Sequence, residues 1–568
     1  MENQRSGIPD WFTIKIENKE ESSLKKVLWL ALCLVLVLSL AGVGLVSGAA
    51  AKKPLVLTMF SSDINPNYNN FEDPVAKEIT RITGVKLKID YPIGGDASQK
   101  LTLLLASGEY PDLIFLKGAG QWVEAKALLD LTPYIEKYGK NVKKVYGPFL
   151  KRLRYSPQDK SIYYLGCFGV GGEVWANPGV FQLQHAAVKE AGFPKLKTVK
   201  DYEKVIQAYV DKHPAVDGQP TIGLSLLADD WRILISVTNP ACFATGGADD
   251  GEWYIDPKTY RAVLHHTRPQ EKEYFRWLNH LNDIGLLDPE SFVQKYDQYL
   301  AKIASGRVVG IIDAWWEYNS AEQALKQAGK FELAYGTYPI QLDETTVSHE
   351  LQDSGYSASW GIAITKKCKD PVAAFKFLDW MASDEAQILR NWGIKGKNYV
   401  MINGKRVIPK EEMDRRNNDP NYARDTGVGQ WIYPFPQYGD GVKDPTGQTY
   451  SITTPQQVLD RFSEIEKEVL ARYNAKLWVD LFPSRKSLGV KPWGAAWQMN
   501  TPQDASWTVP WQKCQDIIRK RIPEAILAKP DKFDGIWAAF MKELEDAGVH
   551  GLEATMTKLI KERLEFWK

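Results

Sequence analysis

Charge of either sign is not in excess in this chain, cysteine is scarce, and no compact catalytic signature is present. Lys plus Arg totals 71 and Asp plus Glu 70 in 568 residues, a net charge of +1. No overall field therefore favours nucleic acid, and no basic run of the size that binding needs occurs. There are five cysteines, Cys33, Cys167, Cys242, Cys368 and Cys514, and none forms a C-x-x-C pair. That removes the usual sequence support for a zinc site or a dithiol redox centre. Disulfides are allowed in an exported chain, but buried free thiols fit the wide spacing as well. There is no H-E-x-x-H, no G-x-S-x-G elbow and no P-loop, and His265-His266 is adjacent rather than at the i, i+4 spacing of a helical metal pair. No cofactor and no metal are expected. Internal repeats and low-complexity tracts are also missing.

Aromatic residues, by contrast, are abundant, with 20 Trp and 26 Tyr. Most are expected in cores, since 568 residues exceed what one core organises and two or three structural units follow. An indole also stacks on flat apolar ligand surfaces while its N–H donates a hydrogen bond, which suits the C–H face and hydroxyl rim of a sugar ring. At the N-terminus Lys25 and Lys26 precede an apolar run, Val27 to Val46, followed by Ser47-Gly48-Ala49-Ala50-Ala51. This is the pattern of a secretory signal, and the run is also long enough to serve as a membrane anchor. Residues 1–51 are read as one or the other, and both place the body outside the cytoplasm, with the lysines inside.

Further along, Pro54–Phe60, Val85–Tyr91 and Asp112–Leu116 read as strands, separated by helices over Phe71–Thr83 and Ser98–Ser107. That alternation predicts βαβ units and a mainly parallel sheet, with ligands beyond the carboxyl ends of the strands. It resumes with helices over Val199–Asp211, Gln270–Ile284 and Tyr296–Ser305 and strands over Thr221–Leu227, Val308–Ile312 and Gly361–Thr365. Single helices are expected over Pro371–Leu389, Gln512–Leu527 and Phe533–Trp567. Between Asn398 and Trp511 the sequence is rich in Pro, Gly and Trp, with weak periodicity.

Five segments, in order, resemble one family. They are ASGEYPDLIFLKGAGQWVEAKALLDLTPYIEKY (106–138), FRWLNHLNDIGLLDPESF (275–292), KIASGRVVGIIDAWW (302–316), ITKKCKDPVAAFKFLDWMASDEAQILRNWGIKGKNY (364–399) and FMKELEDAGVHGLEATMTKLIKERLEFW (540–567). The family is that of extracellular solute-binding proteins of ABC importers, relatives of maltose-binding protein, and in particular its lipoprotein-type oligosaccharide-binding branch. The resemblance implies an α/β, two-lobed periplasmic-binding-protein-like fold of type II, its lobes joined by crossing hinge segments. Lobe one is expected at 52–163 and 356–415, and lobe two, with C-terminal helices, at 164–355 and 416–568. It further implies a monomer that takes an oligosaccharide to permease subunits without acting as an enzyme. Three departures stand out. No Cys lies near Ala51 for lipid attachment. The stretch DKHPAVDGQPTIG has only Asp211 and Asp217 where relatives carry a calcium loop. Gln184 and Ala186 replace a common Arg-x-Asp.

By resemblance Trp315 is the stacking platform of lobe two, with Trp316 beside it; the two side chains are expected to diverge, one of them into the core. Asp230 and Trp231 stand where relatives present an acid and an aromatic, and a charged acid accepts strong hydrogen bonds from hydroxyls. Trp122 and Lys117 follow the strand at Asp112–Leu116; Trp122 either stacks on ligand or caps a helix, and Lys117 is either a ligand contact or solvated. Asp63 and Asn65 follow the first strand and serve either a sugar or, with Pro66, a turn. Trp175, in GVGGEVWANPG, either closes on ligand or terminates a strand, and Trp360 borders the strand that returns to lobe one, near the expected cleft. The competing readings are a secreted glycoside hydrolase, which needs two carboxylates at a set separation, and a membrane-anchored sugar sensor on the same fold.

Overall fold

A computed structural model describes residues 53–92, 97–176, 178–356, 358 and 360–568. The segment read as signal or anchor, with Cys33, lies outside them. β1 (Leu55–Ser61), β2 (Val85–Asp90) and β3 (Leu113–Lys117) are parallel, with β1 paired to both others. Helix α1 (Pro74–Thr83) joins the first two. It starts where the Asp73 carboxylate accepts the Ala76 N–H and ends at Gly84 with φ 69°, the left-handed stop that glycine permits. α2 (Ser98–Ser107) precedes β3, which leads into the short α3 (Gly120–Glu124). β4 (Tyr164–Gly166) ends this passage.

The chain then crosses to a second sheet. β5 (Phe181–Gln184), β6 (Ile222–Ser225), β7 (Val308–Ile312) and β8 (Tyr335–Tyr338) align in the order β8-β5-β7-β6. The return strand, β9 (Trp360–Ile364), inserts between β3 and β4, giving β2-β1-β3-β9-β4. β9 is antiparallel to both neighbours, and β5 is antiparallel to β7 and β8, while β6 and β7 are parallel. The expectation of mainly parallel sheets is corrected to two mixed sheets. A strand arriving from the other sheet enters at the edge where its neighbour ends, so it must run against it. The register shows this: Trp360 opens β9 opposite Lys117, the last residue of β3, and Phe181 opens β5 opposite Ile312, the last of β7. Both sheets thus carry their crossings at the carboxyl ends of the parallel strands.

Each sheet has its own core. The first gathers Val75, Ile79, Phe115, Ile362 and Phe375. The second gathers Phe181, Leu224, Ile312 and the helices α4 (Val199–Lys212) and α5 (Pro269–Asp283). The expected lobe boundaries at 163 and 415 move outward. Tyr164–Gly166 pairs within the first sheet, and Tyr422, Val428, Trp431 and Phe435 are buried in the first core.

Two helices expected as single are pairs. Pro371–Leu389 divides into α7 (Pro371–Met381) and α8 (Asp384–Trp392), following α6 (Trp315–Gln327), because Ser383 caps a new helix by accepting the Ala386 N–H. Phe533–Trp567 divides at Gly548, φ 94°, into α10 (Pro530–Ala547) and α11 (Val549–Trp567), after α9 (Ala505–Leu527). Arg390, on α8, is fully buried and donates to the carbonyls of Met381 (2.7 Å), Trp431 (3.0 Å), Ile432 (3.1 Å) and Pro436 (3.1 Å). It fixes the stretch that leads to Gln437–Tyr438, which pairs with Gly169–Val170 as a further crossing. The four cysteines among the described residues are buried and free, and no described helix is long and apolar enough to cross a membrane.

Candidate functional site

Because β9 starts where β3 stops, three of the expected residues meet at the carboxyl edge of the first sheet. Lys117 Nζ lies 2.5 Å from the Asp63 carboxylate and 4.8 Å from the ring centre of Trp360. The ammonium is thus held between a charge and an indole face while remaining partly exposed. Asn65 serves the local turn: its Oδ1 accepts the Asn67 N–H at 2.9 Å. Trp122 is corrected to a core residue. It is 3 % exposed and packs on Tyr110 at 5.2 Å, behind the strand rather than at its mouth.

At the carboxyl edge of the second sheet, β7 runs through buried Asp313 into α6. Trp315 and Trp316 are 46 % and 49 % exposed, which overturns the expectation that one enters the core. The helix buries Tyr318, Ala321 and Leu325, spaced three and four apart, and the two tryptophans fall outside that stripe. Trp316 stacks on Trp231, with ring centres 6.0 Å apart and planes at 20°. Asp230, at φ 46°, holds Arg232 at 2.9 Å, and its carbonyl accepts from Arg519 on α9. The Arg232 guanidinium lies over the rings of Trp231 and Tyr296 and bonds Glu317 at 3.0 Å. The acid expected to face a ligand is therefore already paired, and the surface this edge offers is indole.

Where the crossings run, a cavity of about 430 Å³ is bordered by residues of 168–174, 350–356 and 439–440, by Asp249, and by Arg485, Lys491, Ala495, Trp497 and Gln498, a size suited to a small ligand. Phe168 and Trp497 supply aromatic rings to its wall, 6.1 Å apart, and Trp360, outside the lining, packs against both, 5.7 Å from Phe168 and 5.0 Å from Trp497. Trp497 also covers Gly251 of the second unit, where an added β-carbon would come within 2.7 Å of the tryptophan. Trp175 sits in the same way over Gly441, where the approach would be 2.6 Å. Only glycine allows the Trp497 β-carbon and the Trp175 ring so close to the main chain at these positions. Lys491, 1 % exposed, and the Trp493 indole both bond the buried Asp250 carboxylate, at 3.0 Å and 3.1 Å, and the Ala496 N–H joins them at 2.8 Å. This clamp holds Trp497 and Gln498 in the wall. Gln498 Oε1, Trp497 Nε1 and Glu350 Oε1 are buried without a hydrogen-bond partner among the described residues. Buried polar groups are normally satisfied, so this wall offers unused donors and acceptors beside ring faces.

Burial lifts the Glu350 carboxyl to about 8 and Glu252 to about 7, and pushes the His185 imidazole down to about 4 and His265 to about 3. A carboxyl lifted on folding contributes stability that is full below its unfolded pKa and is lost as pH rises through the folded one. A depressed imidazole works the other way, losing stability as pH falls below its unfolded pKa. Among these four groups the two effects offset between about pH 4.5 and 6.5, and above that only the carboxyls change; burial raises Glu271 and Asp313 in the same direction as Glu350. Raising the pH from about 6.5 to 8 is expected to lower the unfolding free energy by on the order of 2 kcal/mol. Urea titrations at the two pH values check this, and Glu350→Gln is expected to reduce the dependence.

Cys242, His265 and Glu271 bring potential metal-ligand atoms within 4.8 Å of one another, all buried. Yet Glu271 already accepts from Arg268 at 3.1 Å and lies 2.5 Å from His265 Nδ1. A divalent ion would have to displace both, so the cluster reads as an internal hydrogen-bond network. Sequence reasoning missed Phe168, Glu350 and Gln498. Each stands in irregular chain whose pattern gives no hint of convergence. Trp497 was visible only as one tryptophan of several in a Trp-rich stretch.

Residues 62–388 match the family described as bacterial extracellular solute-binding protein. The chain is 22 % identical over 456 residues to Lipoprotein LipO of Bacillus subtilis, covering 76 % of this chain and 84 % of that one. It is 24 % identical over 363 residues to the fructooligosaccharide ABC transporter substrate-binding protein FusA of Streptococcus pneumoniae, covering 61 % and 64 %. Among solved structures, the HMO binding ABC-transporter associated solute binding protein of Bifidobacterium longum infantis superposes with a TM-score of 0.65 at 14 % identity, over 90 % of this chain and 98 % of that one. That likeness shows the two-lobed fold.

Proposed function

The chain belongs to the bacterial extracellular solute-binding proteins, and we propose that it captures an oligosaccharide in the cavity where its crossings meet and passes it, chemically unchanged, to the permease subunits of an ABC importer. The observation that carries this reading is the pair of rings in the cavity wall, Phe168 and Trp497, with Trp360 packed against both, beside unused polar atoms of Gln498, Trp497 and Glu350. Ring faces accept the C–H faces of a sugar, and the polar atoms accept or supply the hydrogen bonds of its hydroxyl rim. Asp63, Lys117 and Trp360 extend the surface on the first lobe, and Trp231, Trp315 and Trp316 on the second. Trp175 stands at the crossing. The names of relatives that record fructooligosaccharide or HMO binding support the sugar class.

The cavity lies at the crossings, so a ligand there touches both lobes and favours their closed arrangement by hinge motion. A permease can tell that arrangement from the open one. The protein works as a monomer outside the cytoplasm, exported through residues 27–46, which are then removed or kept as the anchor. Nothing in this role makes or breaks a bond.

Thermal unfolding of the purified body with a panel of oligosaccharides tests the reading. A ligand at about 100 times its Kd is expected to add about 2.7 kcal/mol of stability, with the sugar recovered intact. Trp497→Ala is expected to weaken binding by about 2 kcal/mol, roughly 30-fold, as a tryptophan at the centre of a binding surface does. Cleaved sugar in the mixture would instead establish an enzyme.

A further inference from the structure

The charges of the cavity wall bear on which sugars enter it. Glu173, Asp249, Glu350, Asp353 and Asp440 border it, against only two cations, Arg485 and Lys491. Both cations are already engaged. Arg485 holds Asp353 at 2.8 Å and donates to the Gly172 carbonyl at 3.1 Å. Lys491 holds Asp250 at 3.0 Å and the Asp249 carbonyl at 2.6 Å. Recognition of a carboxylate or sulfate calls for a free guanidinium or ammonium, and the wall among the described residues has neither cation to spare. What is left unused is neutral or acidic: Gln498, 3 % exposed with its Oε1 unpartnered, the Trp497 N–H and Glu350 Oε1. These suit hydroxyl groups. Asp353 is paired with Arg485 and burial keeps Glu350 protonated at neutral pH, but the remaining wall carboxylates, Glu173, Asp249 and Asp440, repel a second anion, and more strongly where water is excluded.

We infer that this cavity selects uncharged oligosaccharides and rejects uronate-containing and sulfated ones. The inference rests on the reading of the cavity as an oligosaccharide site and adds the ligand's charge class to it. The cations behind the wall do not reverse the balance: Arg152 is engaged with the Tyr356 carbonyl at 2.9 Å, Arg563 with the Gln498 carbonyl at 2.7 Å, and Lys117, at the first-lobe edge, with Asp63 at 2.5 Å.

The test pairs neutral oligosaccharides with the same chains carrying uronate carboxylates at C6, titrated against the intact protein by tryptophan fluorescence. At low ionic strength the uronate member is expected to bind at least tenfold more weakly, with the gap narrowing as salt screens the wall. Asp353→Asn, which frees Arg485, is expected to narrow it further at constant salt, a response that loss of fold would not give. Equal or tighter binding of the uronate member by the unaltered protein overturns the inference while leaving the oligosaccharide reading in place. Binding of neither series overturns that reading and the inference with it.

Discussion

Asp250→Ala is expected to lower the unfolding free energy by about 3–5 kcal/mol. The carboxylate is buried and takes donors from Lys491, Trp493 and Ala496. Its removal leaves the Lys491 ammonium, 1 % exposed, without its counter-charge. The Asp249 carbonyl at 2.6 Å remains, but a neutral acceptor does not replace an anion for a charge out of water. The loss is also local in its consequence, because the same clamp sets Trp497 and Gln498 in the cavity wall. Urea unfolding reads the stability, and oligosaccharide titration of the folded fraction reads the site. Asp250→Asn, which keeps an acceptor but not the charge, is expected to fall between the variant and the parent. A drop below about 1 kcal/mol for the alanine variant would mean that the clamp is not closed as described.

A loss of similar size, about 3–5 kcal/mol, is expected for Arg390→Met. The methionine replaces much of the volume but none of the donors, so the carbonyls of Met381, Trp431 and Pro436 lose this partner in the first core, while Ile432 keeps the Phe435 N–H. Each buried group left without a partner costs about 1–3 kcal/mol, and partial relaxation toward water reduces the sum. Burial has already pulled the guanidinium down to about 9, yet it stays charged at neutral pH. Arg390→Lys is expected to recover little, since one ammonium cannot reach the span of a planar guanidinium. Calorimetric or urea midpoints of the two variants check this. The segment they release leads to the Gln437–Tyr438 crossing, so weaker oligosaccharide binding should accompany the loss.

The elements that could be read from sequence are those whose periodicity is bounded by a chemical stop. α1 is framed by Asp73 and Gly84, and β7 is an uninterrupted apolar run with both faces buried. β4, β5 and β8 were not legible as sheet members. They are three or four residues long, too short for alternation to show, and they owe their pairing to strands far away in the chain. The breaks at Ser383 and Gly548 were lost inside patterns that stay helical on both sides. At the site, Lys117 and Trp360 were legible because strand ends can be located, and the register then brings them together. Trp122 illustrates the opposite case. An aromatic residue just after a strand reads the same whether it turns to the cleft or to the core, and the choice is made by Tyr110 and the packing behind the strand. The cavity itself arises from stretches near 170, 249, 353, 440 and 491 that are well separated in the chain, and no local pattern encodes such a meeting.

A crystal structure of the protein grown with a neutral oligosaccharide tests the whole account most directly. Intact sugar rings should lie against Phe168, Trp360 and Trp497, with hydroxyl groups meeting Gln498 and Glu350, and both sheets should approach the ligand by the carboxyl ends of their strands. A sugar bound on one unit alone and away from the crossings, or one found cleaved, would contradict it.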